Sequence, residues 1–192
     1  MLKKKEYKFW FCTGSQDLYG DECLAHVAEH AKIIVEKLNE SGVLPYEVVW
    51  KPTLITNELI RKTFNELISM MSVQELSHGC IHFHLQNHGF LDFRSSENHC
   101  FISTHSSIWR SQYDTIDMDF MNENQSAHGG REFGHIFTRL GIERKVVVGH
   151  WSDEKVQEKI ASWMRTAVGV IESSHVRVMR VADNMRNVAV TE

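Results

Sequence analysis

The segment GSQDLYG, at residues 14–20, contains residue types that could recognise a small ligand. The amide of Gln16 can donate and accept hydrogen bonds, while Leu18 and Tyr19 offer aliphatic and aromatic surface. The segment follows a short apolar run and precedes a helical pattern, and ligands of open parallel sheets bind at such carboxyl ends of strands. The same segment could instead be a tight connection whose two glycines serve only the backbone. Spacing alone leaves both interpretations open.

Gln125 and His128 lie in the run from Met121 to Gly130, at or near a predicted helix start. Histidine is a frequent acid, base and metal ligand. A single histidine beside two glycines is nevertheless more often a surface or capping residue, so the pair alone does not define a site.

A group of histidines occupies the middle of the chain. Its possible metal ligands are His78, Cys80, His82, His84 and His88. Alternate residues of a strand project to one face, and imidazole suits Zn, Ni and Cu, so a metal-binding segment is one hypothesis. However, neither a strand nor a helix period persists from about Leu67 to Gln112. No regular element is therefore predicted to hold these ligands.

The elements around the first segment follow a β-loop-α-β-α order. Lys8 to Cys12 is an apolar run of strand length, and a helix with 3.6-residue apolar spacing begins at Asp21 and ends near Gly42. A second strand is predicted over Pro45 to Lys51, and a second helix from about Asn57 to Glu66. This order is typical of a parallel sheet with helices on its faces.

The C-terminal third repeats that pattern. Lys145 to Gly149 predicts a buried strand, and Ser152 is the expected cap of a helix. The apolar stripe of that helix is predicted to contain Val156, Ile160, Trp163, Met164, Ala167 and Ile171. Two further strands are predicted, over Arg177 to Val181 and Val188 to Thr191. We therefore expect an α/β fold, with a doubly wound, Rossmann- or flavodoxin-like, mostly parallel sheet flanked by helices and a disrupted central segment.

Composition excludes several classes of protein. The net charge of −4, with acids and bases interspersed, provides no basic stripe for nucleic acid. No apolar run approaches the length of a membrane span, and the N-terminal lysines are not followed by the apolar core of a signal peptide. The four cysteines lack CxxC spacing, which favours free thiols. We expect a cytoplasmic protein that binds neither nucleic acid nor membrane.

Five motifs resemble the bacterial L-arabinose isomerase family. They are FCTGSQDLYG (11–20), LPYEVVWKP (44–52), YDTIDMDFMNENQSAHGGREFGHIFTR (113–139), KVVVGHW (145–151) and DNMRNVAVTE (183–192). Long motifs in the same order are far more specific than a single glycine pattern. The resemblance covers residues 7–66 and 113–192.

The resemblance implies conversion of L-arabinose to L-ribulose by a homo-oligomer whose sugar pocket is shared between subunits. The matching positions that would line this pocket are Gln16, Leu18, Tyr19, Gln125, His128 and Met185. It also implies Mn²⁺ held by two glutamates and two histidines from a later part of a longer chain. No catalytic residue and no metal ligand are therefore assigned here, and the chain alone is expected to be inactive; a non-catalytic sugar-binding domain is the alternative.

The middle of the chain resembles the family only after a change of reading frame. The residues Gly79 to Asn87 can be encoded so that reading one base earlier gives WMHTFSPAK, a sequence that resembles the family at this place. The same shift applied to Asn98 through Ser107 gives KPLLHLHTQF. We expect that residues of about 67–112 are translated out of frame, in which case their histidines were never selected as ligands.

The predicted domain boundaries follow from the same comparison of motifs. Residues 1–171 would form the N-terminal α/β domain of the isomerase, including the aberrant segment at 67–112. Residues 172–192 would begin the next domain. Because the sequence stops at Glu192, directly after a strand pattern, we expect a truncated product.

Overall fold

The computed structural model describes residues 7–71, 78–83, 101–105, 117–118, 134–135, 138–139, 141, 144–174, 176–179 and 181. Its strands are β1 (Lys8–Thr13), β2 (Glu47–Trp50), β3 (His78–Phe83), β4 (Phe101–His105) and β5 (Arg144–Val148). Its long helices are α1 (Asp21–Glu40), α2 (Asn57–Met71) and α3 (Glu154–Ser173). The strands form one sheet in the order β2-β1-β3-β4-β5, and every pairing is parallel. The predicted α/β class is confirmed.

Strand β1 is the buried centre of the described structure. It pairs with β2 on one side and with β3 on the other, and its residues from Phe9 to Cys12 are all at most 3% exposed. Phe9 and Phe11 belong to a core cluster that also contains apolar side chains of α1 and α3. Such a continuous apolar run is typical of a parallel strand covered on both faces.

Lys51 connects the remaining helix to β1. Its ammonium nitrogen lies 3.4 Å from the ring centroid of Trp10 and 3.1 Å from a carboxylate oxygen of Glu66 in α2. Trp10 alternates along β1 with the two phenylalanines that contact the other helices, so α2 is linked to the opposite side of the strand.

Helix α1 has the amphipathic pattern predicted for it. Its buried stripe consists of Cys23, Val27, Ala31, Val35 and Leu38. The helix ends as predicted, because Gly42 adopts a positive φ of 69°, the left-handed conformation common just after a helix. Cys23 of this helix and Cys12 of β1 are both buried, and neither is part of a disulfide. Within the described ranges, no helix is long and apolar enough to cross a membrane.

Helix α3 confirms the predicted stripe, with two corrections. Its cap is Asp153 and not Ser152, because the Asp153 carboxylate accepts the Lys155 backbone N–H while the Ser152 hydroxyl is bonded to His150. Ile171 is only partly buried, and Val168 takes its place in the buried stripe. The difference in the cap depends on His150, which lies outside the helix's own periodicity.

Residues 67–71 continue α2 beyond the predicted end at Glu66, so the expected disruption of the central segment is wrong there, and it is also wrong for residues 78–83 and 101–105. These residues form β3 and β4, which pair with each other and join β1 to β5. Sheet pairing uses main-chain groups that every non-proline residue carries, so it does not require a regular side-chain pattern. Ile81, Phe83, Phe101 and Ile102 also have high strand propensity. Residues 72–77, 84–100 and 106–112 lie outside the described residues.

The predicted strand over Arg177 to Val181 is also wrong for the described part of that segment. Residues 177–179 are in neither strand nor helix, and Val178 and Met179 are 89% and 85% exposed. A strand needs a hydrogen-bonded neighbour, and none of the five described strands pairs with this segment. Val188 to Thr191 lie outside the described residues, and the boundary near residue 171 stays a prediction.

Asn39 of α1 closes the outer edge of β2. Its side-chain nitrogen donates to the Val48 carbonyl at 2.8 Å, and its side-chain oxygen accepts the Val48 backbone N–H at 2.9 Å. The amide thus makes the two hydrogen bonds that another strand would make. Unpaired edges expose such groups, and Val48 is only 2% exposed.

Replacing Asn39 with Ala should lower the free energy of unfolding by about 1–3 kcal/mol, because two buried main-chain groups lose their partners. Urea unfolding measures this change. Asn39→Asp keeps only the acceptor, so its free energy of unfolding should lie between those of the unaltered protein and Asn39→Ala. Glu40→Ala, an exposed neighbour on the same helix, should change little; equal losses for Glu40→Ala and Asn39→Ala would show that the edge contact is unimportant.

Candidate functional site

The loop after β1 is fixed by the segment that follows β2. The Leu54 backbone N–H donates to the Thr13 carbonyl at 2.7 Å, and the Ser15 backbone N–H donates to the Leu54 carbonyl at 3.3 Å. Gly14 and Leu54 form an isolated parallel bridge. Its register differs by one residue from that of Phe11 and Trp50, so one extra residue is accommodated on the β2 side. Parallel pairing therefore continues into the loop with a bulge-like offset.

A single turn of 3-10 helix, Asp17–Tyr19, forms the tip of this loop. The Tyr19 backbone N–H donates to the Gln16 carbonyl at 3.2 Å, and the Gly20 N–H donates to the Asp17 carbonyl at 3.1 Å. Gly20 has a φ of 83°, which residues with a side chain rarely adopt, and α1 begins directly after it. The loop is thereby held between β1 and α1 at the carboxyl edge of the sheet.

The three predicted binding residues of the loop lie on this turn or directly before it. Leu18 is 76% exposed, whereas Gln16 and Tyr19 are half-buried and Ser15 is buried. A single exposed leucine is ordinary, but here it accompanies a partly exposed amide and phenol on a loop that connects β1 to α1. The arrangement can offer hydrogen bonds and apolar surface to one small polar ligand. The other predicted pocket residues, Gln125, His128 and Met185, lie outside the described residues.

His150 is a further chemically active residue at the carboxyl edge, and it was not assigned to the site from the sequence. It follows β5 after Gly149, whose φ is 138° and where an added Cβ would lie 2.6 Å from the Val156 side chain. His150 Nδ1 lies 2.7 Å from the Ser152 hydroxyl oxygen and 3.3 Å from the Ser152 backbone nitrogen. Because the backbone N–H can only donate, Nδ1 is an acceptor and the ring proton is on Nε2. The glycine-histidine pair directly after a strand was the signal available in the sequence.

No metal centre can be built from the described side chains. In this part of the chain no three His, Cys, Asp or Glu residues come together in a way that could hold a metal ion. The two-carboxylate, two-imidazole donor set implied for Mn²⁺ therefore has no counterpart among these residues, and no chemical step is derived through it. The side chains of His78, Cys80 and His82, together with His84 and His88, lie outside the described residues, so the metal-binding hypothesis for them stays a prediction.

Burial lowers the pKa of His150 below its usual value. A histidine that is harder to protonate in the folded state contributes stability that is complete above the unfolded pKa of about 6.5 and is lost as the pH falls below it. The free energy of unfolding should therefore decrease between about pH 7 and pH 5. The part of this decrease that comes from His150 should disappear in His150→Asn, whose side-chain oxygen can replace the Nδ1 acceptor. Urea unfolding across that range tests the assignment, and identical pH profiles of the two proteins would refute it.

Comparison with known proteins identifies the family. A family profile described as the L-arabinose isomerase N-terminal domain matches residues 3–175. L-arabinose isomerases of Geobacillus thermodenitrificans and Geobacillus stearothermophilus are 47% and 46% identical to the chain over its whole length. The Bacillus subtilis L-arabinose isomerase is 43% identical, again over the whole chain. The chain spans 39%, 39% and 38% of the lengths of these three relatives. It therefore belongs to the L-arabinose isomerase family, of which it matches the N-terminal domain.

Proposed function

We propose that this chain forms the sugar-binding N-terminal part of an L-arabinose isomerase, an intramolecular oxidoreductase that converts L-arabinose to L-ribulose. The observation that carries the proposal is the family match over residues 3–175, which includes the loop on which Gln16, Leu18 and Tyr19 are grouped. L-arabinose and L-ribulose would be the ligands. The role of this chain is binding and orientation.

The side chains of the loop suit a sugar. Gln16 can donate to one hydroxyl and accept from another, which matches the mixed donors and acceptors of a pentose. Leu18 and Tyr19 provide apolar surface for the C–H face of the sugar. Aldose–ketose isomerisation also requires an acid and a base beside C1 and C2, and a divalent ion such as Mn²⁺ can polarise the two oxygens. The described residues contain no donor set for that ion, so these groups are proposed to come from the rest of a longer protein.

The strand order supports a doubly wound, flavodoxin-like fold. In the order β2-β1-β3-β4-β5 the chain moves from β1 to β2 and then crosses to β3 on the other side of β1. Ligands of such sheets bind at the carboxyl ends of the strands where this reversal occurs, beside β1 and β3. The loop at residues 14–20 leaves β1 at this position.

The remaining parts of the proposal concern assembly and the gene. Gln125, His128 and Met185 would complete the pocket, which neighbouring subunits of a cytoplasmic homo-oligomer would share. We also propose the reading-frame change over residues of about 67–112. The nucleotide sequence of the gene can test this change directly. None of the proposed pocket residues lies in that segment.

A stand-alone sugar-binding domain is the alternative function, and affinity separates it from the main proposal. One wall of a shared pocket should bind L-arabinose weakly. At about 0.3 kcal/mol for each of roughly ten non-hydrogen atoms, the dissociation constant would be on the order of 10 mM. A complete binding domain should instead show saturable binding well below 1 mM without any metal.

Titration of the isotopically labelled chain with L-arabinose should shift backbone amide resonances of residues 14–20. Leu18→Ala should increase the dissociation constant by about fivefold, since it removes apolar contact area from the sugar. Val178→Ala is the matched control, because Val178 is an aliphatic residue outside the loop that is even more exposed than Leu18, at 89% against 76%. Shifts distributed over the whole chain, or equal effects of the two substitutions, would contradict this site.

The chain alone, incubated with L-arabinose and Mn²⁺, should form no L-ribulose above the background of the buffer. The physical reason is that binding residues without an acid, a base and a metal site do not lower the barrier to proton transfer between carbons. A colorimetric ketose assay measures the product, with the full-length Geobacillus stearothermophilus relative as the positive control. Turnover by the chain would contradict the division of roles proposed here.

A further inference from the structure

Two buried threonine hydroxyls near the loop have no hydrogen-bond partner. Among the buried side-chain atoms of the described residues, the atoms without a partner are Thr13 Oγ1, Trp50 Nε1 and Thr53 Oγ1. Thr13 is the last residue of β1 and directly precedes the loop, while Thr53 directly precedes the Leu54 that holds the loop. The 2.7 Å bond from the Leu54 N–H to the Thr13 carbonyl brings the main chains of the two threonines together.

This lack of partners is unlike the other threonines whose hydrogen bonds are described. Thr56 Oγ1 accepts the Leu59 backbone N–H at 3.2 Å, and the hydroxyls of Thr138 and Thr166 each donate to a main-chain carbonyl at 3.0 Å. Buried polar groups without partners are unfavourable and rare, and each one requires an explanation. Two such hydroxyls, on adjacent chain segments that both adjoin the loop at residues 14–20, point to one explanation for both.

We propose that Thr13 and Thr53 are positioning residues of the sugar site, whose hydroxyls gain hydrogen-bond partners when a pentose engages the loop at residues 14–20. This inference rests on the function proposed above and adds to it the residues that support the loop. A ligand shifts a loop only if it binds the shifted arrangement more tightly than the original one. Hydroxyls that are unpaired in the arrangement seen here, and that gain partners in the shifted one, lower the free-energy cost of the shift and so raise the apparent affinity for the sugar.

The attachment of the loop is compatible with such a shift. The bond between Thr13 and Leu54 is short, at 2.7 Å, whereas the bond from the Ser15 N–H to the Leu54 carbonyl is 3.3 Å, near the limit for a hydrogen bond. The end of β1 is thus firmly held while the start of the loop is held weakly. A displacement of the loop that breaks only the Ser15 bond would change the surroundings of the two threonines and leave the bond at Thr13 and the sheet intact.

The proposal assigns the hydroxyls to a neutral polyhydroxylated ligand. A threonine hydroxyl can donate and accept and carries no charge, so it can adapt to a loop that has moved around a sugar. A purely structural role predicts the opposite energetics, since structural hydroxyls should already be bonded in the free protein, as that of Thr56 is.

Thr13→Val and Thr53→Val, separately and combined, test the proposal in the full 192-residue chain. Valine keeps the branched shape and removes only the hydrogen-bonding group. Because that group is unpaired in the free protein, the urea midpoint should stay the same or rise. The dissociation constant for L-arabinose, measured from the amide shifts of the loop, should increase about tenfold in the double variant.

Thr56→Val is the matched control. It removes a threonine hydroxyl that is already bonded, so its urea midpoint should fall while its L-arabinose affinity is unchanged. A lower midpoint for the Thr13 and Thr53 variants would show a structural role, and unchanged affinity in stable variants would show no role; either result overturns the inference and leaves the proposed function intact. The absence of loop shifts in the unaltered chain would instead overturn the proposed function, and the inference with it.

Discussion

The parallel pairing of β1 is the interaction on which the described structure depends. β1 is bonded on both sides, and its pairing with the β2 segment continues through Leu54 to Thr13 and Ser15. Main-chain hydrogen bonds in a buried strand are protected from water, so their loss would leave polar groups without partners. The same bonds therefore stabilise the core and fix the end of β1, from which the loop at residues 14–20 begins. A change within β1 would displace the candidate site as well as the fold.

The elements that could be predicted from the sequence are those with one apolar face. Helices α1 and α3 show the 3.6-residue spacing, and β1, β2 and β5 show apolar runs bounded by breaks. The burial predicted for β5 is wrong except at Val147, since Val146 and Val148 are 47% and 63% exposed. Strands β3 and β4 carry no such pattern, and only three-dimensional pairing with β1 and β5 defines them. The cap of α3 was misassigned for a related reason: Ser152 has the right chemistry, but its hydroxyl is taken by His150. Periodicity predicts which face is buried and does not predict competition between polar groups.

The candidate site also contains residues that the sequence could predict and residues that it could not. Gln16, Leu18 and Tyr19 could be identified because a segment bounded by two glycines and following a strand is a recognisable pattern, which the family resemblance made specific. The groups that support these residues could not be identified from the sequence in this way. The accepting role of His150 Nδ1 and the unpaired hydroxyls of Thr13 and Thr53 are properties of atoms brought together from separate segments. Hydrogen-bond satisfaction has no signature in a linear sequence.

The charges around the loop at residues 14–20 favour a neutral ligand over an anion. Helix α1 begins at this edge with Gly20 as its cap, and glycine has no side chain that could accept the first backbone N–H groups. Such helix starts often bind phosphate, because their N–H groups and the helix dipole attract negative charge. Here Asp21 and Glu22 occupy the first turn, and Asp17 lies on the turn before it. These carboxylates already compensate the dipole and would repel a phosphate, whereas they do not oppose a pentose with no net charge. The helix start therefore favours an uncharged sugar over a sugar phosphate at the loop.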